Sequence, residues 1–190
     1  MVWKDSEMKL SQAAEIANHL ALELSPGCER IAIAGSVRRG KPEVHDLELV
    51  AVPKVVAVAD LFGAPANSYS LLDAELIRLR LHLIKGGEKY KQFALPEGIS
   101  LDLFITSREQ WGWIFVLRTG HKDFGHWLVT PRRHGGALPG YIKSRDGWLT
   151  NGNGPIKTAE ESDVFRVLGV GWLEPQYRSV EHREMWKLLS

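Results

Sequence analysis

Asp46 and Glu48 stand two residues apart in Asp46–Val52, a run in which Leu47, Leu49 and Ala51 alternate with Asp46, Glu48 and Val50. Successive side chains of a strand point to opposite faces, so the two acids share one face. Like charges there repel unless something positive lies between them. A hard divalent cation meets that need, because Mg²⁺ takes oxygen ligands from a few carboxylates plus the phosphates of a substrate. Asp102 lies in a second strand-like run among Leu101, Leu103 and Phe104. A lone Asp in such a run is ordinarily an ion-paired or edge residue. On a strand neighbouring Asp46–Val52 it would instead complete a two-metal arrangement that clamps attacking and leaving oxygens. Upstream lies Gly35-Ser36-Val37-Arg38-Arg39-Gly40-Lys41. A Gly-Ser turn lets backbone amides and a hydroxyl approach a phosphate while arginines neutralise its charge. Alone, such a segment is an ordinary surface turn; followed by Asp-x-Glu it points to phosphoryl chemistry.

The elements that must position these groups are legible in outline. Leu10, Ala13, Ala14, Ala17, Leu20, Ala21 and Leu24 recur at helical spacing, which predicts a helix from about Met8 to Leu24, stopped by Ser25-Pro26-Gly27. Arg30–Ala34, Asp46–Val52 and Ile99–Ile105 read as strands, and Leu79–Ile84 with Lys89–Leu95 as a hairpin turned by Lys85-Gly86-Gly87-Glu88. Val55–Phe62 reads as a helix, Leu71–Ile77 as helix or strand, and Arg108–Leu117 and Glu160–Leu168 as helices. Past Thr119-Gly120, glycines, prolines and short apolar pairs predict irregular structure with small strands at Tyr141-Ile142 and Trp148-Leu149.

Composition bounds the rest. The 190 residues are 44% hydrophobic and 25% charged, as in a folded chain of one domain or one domain with an appendage. One cysteine, Cys28, excludes an internal disulfide and a Cys-cluster zinc site. The longest apolar stretch, Leu49–Ala66, is broken by Lys54, Asp60 and two prolines, and the first residues lack an apolar core. No membrane span or secretory leader is expected, and a cytoplasmic setting is. The net charge of +1 conceals an asymmetry: six Lys or Arg face only Asp123 between Arg118 and Arg145. That stretch suits a polyanion contacted by one face, or a solvated surface.

The order Gly35-Ser36, nine residues, then Asp46-Leu47-Glu48 resembles the signature of nucleotidyltransferases related to DNA polymerase beta. The likeness to family X DNA polymerases continues through KGGEKYKQFAL, SLDLFI, RTG and ESDVFRVLGVGWLEPQYRS, from about Met8 to Ser179. It implies an α+β fold: a polymerase beta-like palm of mixed β-sheet and flanking helices over residues 1–117, then a small α+β thumb over 118–190. Asp46, Glu48 and Asp102 would be the catalytic acids that ligate two Mg²⁺ ions, with Mn²⁺ able to substitute. Gly35, Ser36 and Arg39 would contact the nucleoside triphosphate, and Thr119 and Gly120 the sugar of the incoming nucleotide. Lys122, Trp127, Arg132 and Arg133 would lie along gapped or primer–template DNA. The resemblance implies a monomeric, minimal palm-plus-thumb polymerase of bacterial or viral kind that fills short gaps in DNA repair. The resemblance implies a form in which one helix precedes the palm, where relatives carry a lyase domain and helix-hairpin-helix clamps.

Three departures stand out. Glu48 replaces the usual second Asp, His45 the usual glycine before the first acid, and Leu117-Arg118 the aromatic pair before Thr-Gly, which weakens the expected rejection of ribonucleotides. The competing functions are a template-independent or small-molecule nucleotidyltransferase, which needs no template, and a non-catalytic DNA-binding module, indifferent to Mg²⁺. The seven tryptophans read mainly as packing residues, with Trp127 the base-contact candidate, and the seven histidines form no zinc-like spacing.

Overall fold

The computed structural model describes residues 7–59 and 65–189. The first half of the chain runs β1 (Met8–Lys9), α1 (Leu10–Leu24), β2 (Cys28–Ile33), the single helical turn α2 (Gly35–Arg38), β3 (Glu43–Val44), β4 (Asp46–Pro53), β5 (Val55–Ala59), β6 (Pro65–Ser70), α3 (Leu71–Leu79), β7 (His82–Lys85), β8 (Tyr90–Ala94) and β9 (Ser100–Ile105). The second half runs α4 (Trp111–Thr119), α5 (Lys122–Val129), β10 (Lys143–Arg145), β11 (Trp148–Asn151), β12 (Gly154–Ile156), α6 (Glu161–Leu168) and α7 (Arg183–Lys187). The fold is mixed α+β and divides into two compact units, one from residues up to 33 and from 43 to 106, the other from 34–42 and from 107 onward. Among the described residues no helix is long and apolar enough to cross a membrane.

The first unit is built on a five-stranded sheet in the order β2-β4-β9-β8-β7. Its central pair, β4 and β9, is parallel, and the other pairs are antiparallel. Leu47, Leu49, Leu101 and Leu103 are fully buried. Helix α1 packs on β2 and β4 and buries Ala13, Ala17, Leu20 and Leu24, a stripe at four- and three-residue steps. Ser70 caps α3 by accepting a hydrogen bond from the Asp73 amide, which decides Leu71–Ile77 in favour of a helix. That helix extends to Leu79, so the hairpin begins at His82 rather than Leu79. Val55–Phe62, expected as a helix, is a strand as far as Ala59, paired antiparallel with β6, and its last three residues lie outside the described ones. Pro53 before it and the β-branched Val55, Val56 and Val58 favour the extended chain.

The second unit is organised around α4 and α6. The Gly112 amide donates to the Thr158 carbonyl at 2.7 Å and the Thr158 amide to the Glu109 carbonyl at 2.7 Å, stitching α4 to the segment ahead of α6. Trp113, Val116, Phe124, Trp127, Leu128, Val164, Phe165, Leu168 and Trp186 share one core. The segment past Gly120, expected to be irregular, contains the helix α5. His121 caps it through its ring nitrogen, which accepts from the Asp123 amide, and Phe124, Trp127 and Leu128 make its buried face. Gly125 in its middle obscures the helix in the sequence, because glycine is a poor helix former. Trp148-Leu149 lies in β11, whereas Tyr141-Ile142 is a turn in which the Ile142 amide donates to the Pro139 carbonyl.

Candidate functional site

The acids lie in the first unit. The parallel register sets Asp46 beside Ser100, Leu47 beside Leu101 and Glu48 beside Asp102. Partners in a parallel ladder share a face, so Asp46, Glu48 and Asp102 project from one side of the sheet, all three half-buried. Leu47, Leu49, Leu101 and Leu103, on the opposite side, are fully buried. The hydrophobic drive to bury those leucines therefore fixes which face carries the acids, since a slip of one residue would invert it. Tyr90, on the adjacent β8, donates its hydroxyl to Asp102 Oδ1 at 2.8 Å. The donors suit a hard cation in kind and in strand position. Among the described residues, however, no three or more His, Cys, Asp or Glu side chains are gathered as a metal-holding group. Repulsion between like charges and the hydrogen bond from Tyr90 both act against such a gathering.

The Gly-Ser segment belongs to the second unit. Gly35 opens α2 with φ at +61°, a conformation that costs glycine little. Amides of Arg38, Arg39, Gly40 and Lys41 donate back to the carbonyls of Ala34, Gly35, Val37 and Ser36, closing a compact turn. Ser36 Oγ is buried without a hydrogen-bond partner among the described residues. Arg39 donates to the carbonyl of Thr119 at 2.6 Å, and Arg38 donates to the Thr119 hydroxyl at 2.7 Å.

Arg38 also forks onto Glu161, at 2.8 Å to Oε1 and 2.6 Å to Oε2, and its guanidinium stacks 3.9 Å from the centre of the Phe115 ring. Glu161 Oε1 accepts a further bond, 2.6 Å, from Arg178, whose side chain is 0% exposed. Arg178 is held in turn by the Leu173 carbonyl at 2.9 Å and lies 5.2 Å from the rings of both Phe165 and Trp172. Burial pushes the Glu161 carboxyl up, but the hydrogen bonds and charges of Arg38 and Arg178 outweigh it and hold it below the ordinary carboxylate range. Sequence reading missed Glu161, Arg178 and Tyr90, and assigned Arg38 no separate role. One signal was present: Glu161 stands three, four and seven residues before Val164, Phe165 and Leu168, on the buried face of α6. Glu160 and Asp163 form the reciprocal cap of that helix, so Glu161 is not needed there.

The remaining residues separate into exposed and packed. Thr119 is fully buried and closes α4, and the Gly120 amide donates to the Val116 carbonyl. Trp127 is 8% exposed and packs on Phe124 and Trp186, so most of its ring is engaged in the core. Lys122 and Arg133 are exposed. Arg132 donates to the carbonyls of Leu168 at 2.6 Å and Gly169 at 3.1 Å, satisfying the end of α6. Burial pushes the Cys28 thiol up to about 11, which keeps it protonated and unreactive. No protein-family model and no curated protein sequence matches the chain.

Proposed function

We propose that the protein is a metal-dependent nucleotidyltransferase: a DNA-directed DNA polymerase of family X type, with residues 1–117 as N-terminal helix and palm and residues 118–190 as thumb. The observation that carries the reading is the β4–β9 register, which brings Asp46, Glu48 and Asp102 to one face of one sheet. Those three carboxylates would hold divalent magnesium, which when bound lowers the pKa of a primer 3′-hydroxyl and neutralises charge on departing pyrophosphate. Ser36, whose hydroxyl has no described partner, and Arg39 would hold the triphosphate. Thr119 would act chiefly through the arginines, accepting from Arg38 and Arg39 and so orienting the turn. The hydroxyl attacks the α-phosphorus, the bond to pyrophosphate breaks, and the protein's part is positioning and charge stabilisation.

Primer extension with Mg²⁺ on gapped, recessed and template-free DNA tests this, with deoxy- and ribonucleotides in parallel. Template-directed addition that disappears in Asp102→Asn is the expected result. Addition without a template would replace the reading with terminal transfer, and DNA binding indifferent to Mg²⁺ without any addition would replace it with a binding module.

A further inference from the structure

We infer that the β5–β6 ribbon of the first unit is a self-association surface, and that its partner is a second copy of this chain joined edge to edge along β5. A second copy is neither required nor forbidden by the nucleotidyltransferase reading, and it departs from the monomer that the family resemblance implies. Among the described residues β5 and β6 pair only with each other, outside the five-stranded sheet. The base of the ribbon is tied down. The Lys54 amide donates to the Gly27 carbonyl at 2.9 Å, and the Leu71 amide to the Lys54 carbonyl at 2.9 Å. Beyond that base the ribbon is bare. Val55 is 60% exposed, and on the other face Val56 and its cross-strand neighbour Tyr69 are 36% and 50% exposed. A ribbon of two strands is marginally stable in water, and three or more strands are needed for it to stand by itself.

The two edges of the ribbon differ. β6 opens on Pro65, which has no N–H to offer, and its register steps from Val58–Asn67 to Ala59–Pro65, a bulge at Ala66. Proline and bulges close an edge to further pairing. β5 is Val55-Val56-Ala57-Val58-Ala59, with no proline, no charge and three β-favouring valines. An edge of that composition is a template for another strand. The same run supplies the complement. Antiparallel pairing about a two-fold axis at Ala57 uses all five residues: Ala57 pairs with Ala57 of the other copy, Val56 with its Val58, and Val55 with its Ala59. Lys54 and Asp60 flank the run in sequence with opposite signs. Antiparallel copies therefore bring unlike charges together at both ends, whereas in-register parallel copies would set like beside like. The product is a four-stranded sheet, β6-β5-β5-β6, with a proline-guarded strand at each outer edge. A two-fold contact of this kind stops at two copies and does not grow into a fibre.

The test is analytical ultracentrifugation of the full chain from about 1 to 500 µM, a range set by the small size of a contact between two five-residue strands. The weight-average mass should rise from the 21.3 kDa monomer toward twice that value. Ala57→Lys and Ala57→Glu, at an exposed position, each put like charges directly opposite at the two-fold axis and should weaken association about fivefold or more. Mixing the two variants should restore it, which variants that merely failed to fold could not do. Oxidative cross-linking then checks the register. Cys28 is buried, so Ala57→Cys introduces a single exposed thiol. Directly opposed residues of antiparallel strands have Cα atoms about 4.5–5.5 Å apart, within the span of a disulfide. Ala57→Cys should therefore give a covalent dimer, and Ser68→Cys, the exposed residue opposite it on β6, should not. A monomer at every concentration, unchanged association of the charge variants, no recovery on mixing, or equal cross-linking at 57 and 68 would overturn the dimer.

Discussion

The two units treat their carboxylates in opposite ways. In the first, Asp46, Glu48 and Asp102 share one half-buried sheet face. In the second, Glu161 is shared by Arg38 and Arg178 and is nearly buried. Both arrangements concentrate charge: in the first, acids of neighbouring strands stand side by side, and in the second, two arginines flank one acid. The difference teaches where stability and where activity should reside. Acids set side by side on one sheet face are expected to oppose folding and serve chemistry. An acid locked between arginines serves the fold, and through Arg38 it orients the turn that carries Ser36.

The comparison breaks most visibly at Arg178. Removing one partner of a buried pair leaves the other charge uncompensated, at a cost of about 3–5 kcal/mol. Glu161→Met should lose that much in urea unfolding, because the fully buried Arg178 is left without its carboxylate, and adding Arg178→Met should recover most of it. A loss below about 1 kcal/mol in the single variant would show that the network is not structural.

At the acids the effect should fall on rate instead. Glu48→Gln and Asp102→Asn should melt at or slightly above the wild-type temperature without added Mg²⁺, since each relieves like-charge repulsion. Extension should drop on the order of 10²–10³, about 3–4 kcal/mol in the barrier. Normal extension combined with a lowered melting point would mean that these acids are structural.

Acid sharpens the contrast further. The Glu161 carboxyl is held below its ordinary value, so the stability it adds is present above the ordinary carboxylate range. That stability is lost as pH falls through the lower native value. One such group contributes a slope of at most about 1.4 kcal/mol per pH unit. Denaturation curves between about pH 5 and 2 should show Glu161→Gln with a shallower acid limb than wild type; parallel limbs would contradict the assignment.

Tyr90→Phe should be the mildest change. It removes one hydrogen bond to a charged group that water can replace, so the stability loss should be about 1.5 kcal/mol or less, with extension retained. Calorimetry and single-nucleotide addition on the same preparation measure both.

The parts of the fold visible in the sequence are those where one local rule acts alone. The alternation through Asp46–Val52 gave the strand, its face and the pair of acids, because pleat and hydrophobic burial agree there. Leu10–Leu24 was equally clear, with a continuous apolar stripe and a Pro-Gly stop. Val55–Ala59 was misjudged, since a short apolar run has no period that separates helix from strand and its pairing with β6 decides. That Glu48 stands beside Asp102 is a long-range register that strand patterns anticipate but do not determine. Arg38, Glu161 and Arg178 were invisible as a set, because charged residues are ordinarily solvated and nothing local announces that two distant arginines meet one buried carboxylate.

Residues 34–42 leave the first unit after Ile33, take their place in the second, and hand the chain back at Glu43. No single cut in the sequence therefore separates the two units, and a fragment beginning at Ser107 would lack Arg38, Arg39 and the whole of α2. Synthesis is vectorial, at about 5–20 residues per second. Arg38 emerges 123 residues before Glu161, so it must wait on the order of ten seconds for its carboxylate. The second unit thus has the character of a clasp that closes late: its first piece is laid down early and held until the last third of the chain arrives. Expressing residues 1–106 and 107–190 as separate chains should restore this unit only when both are present.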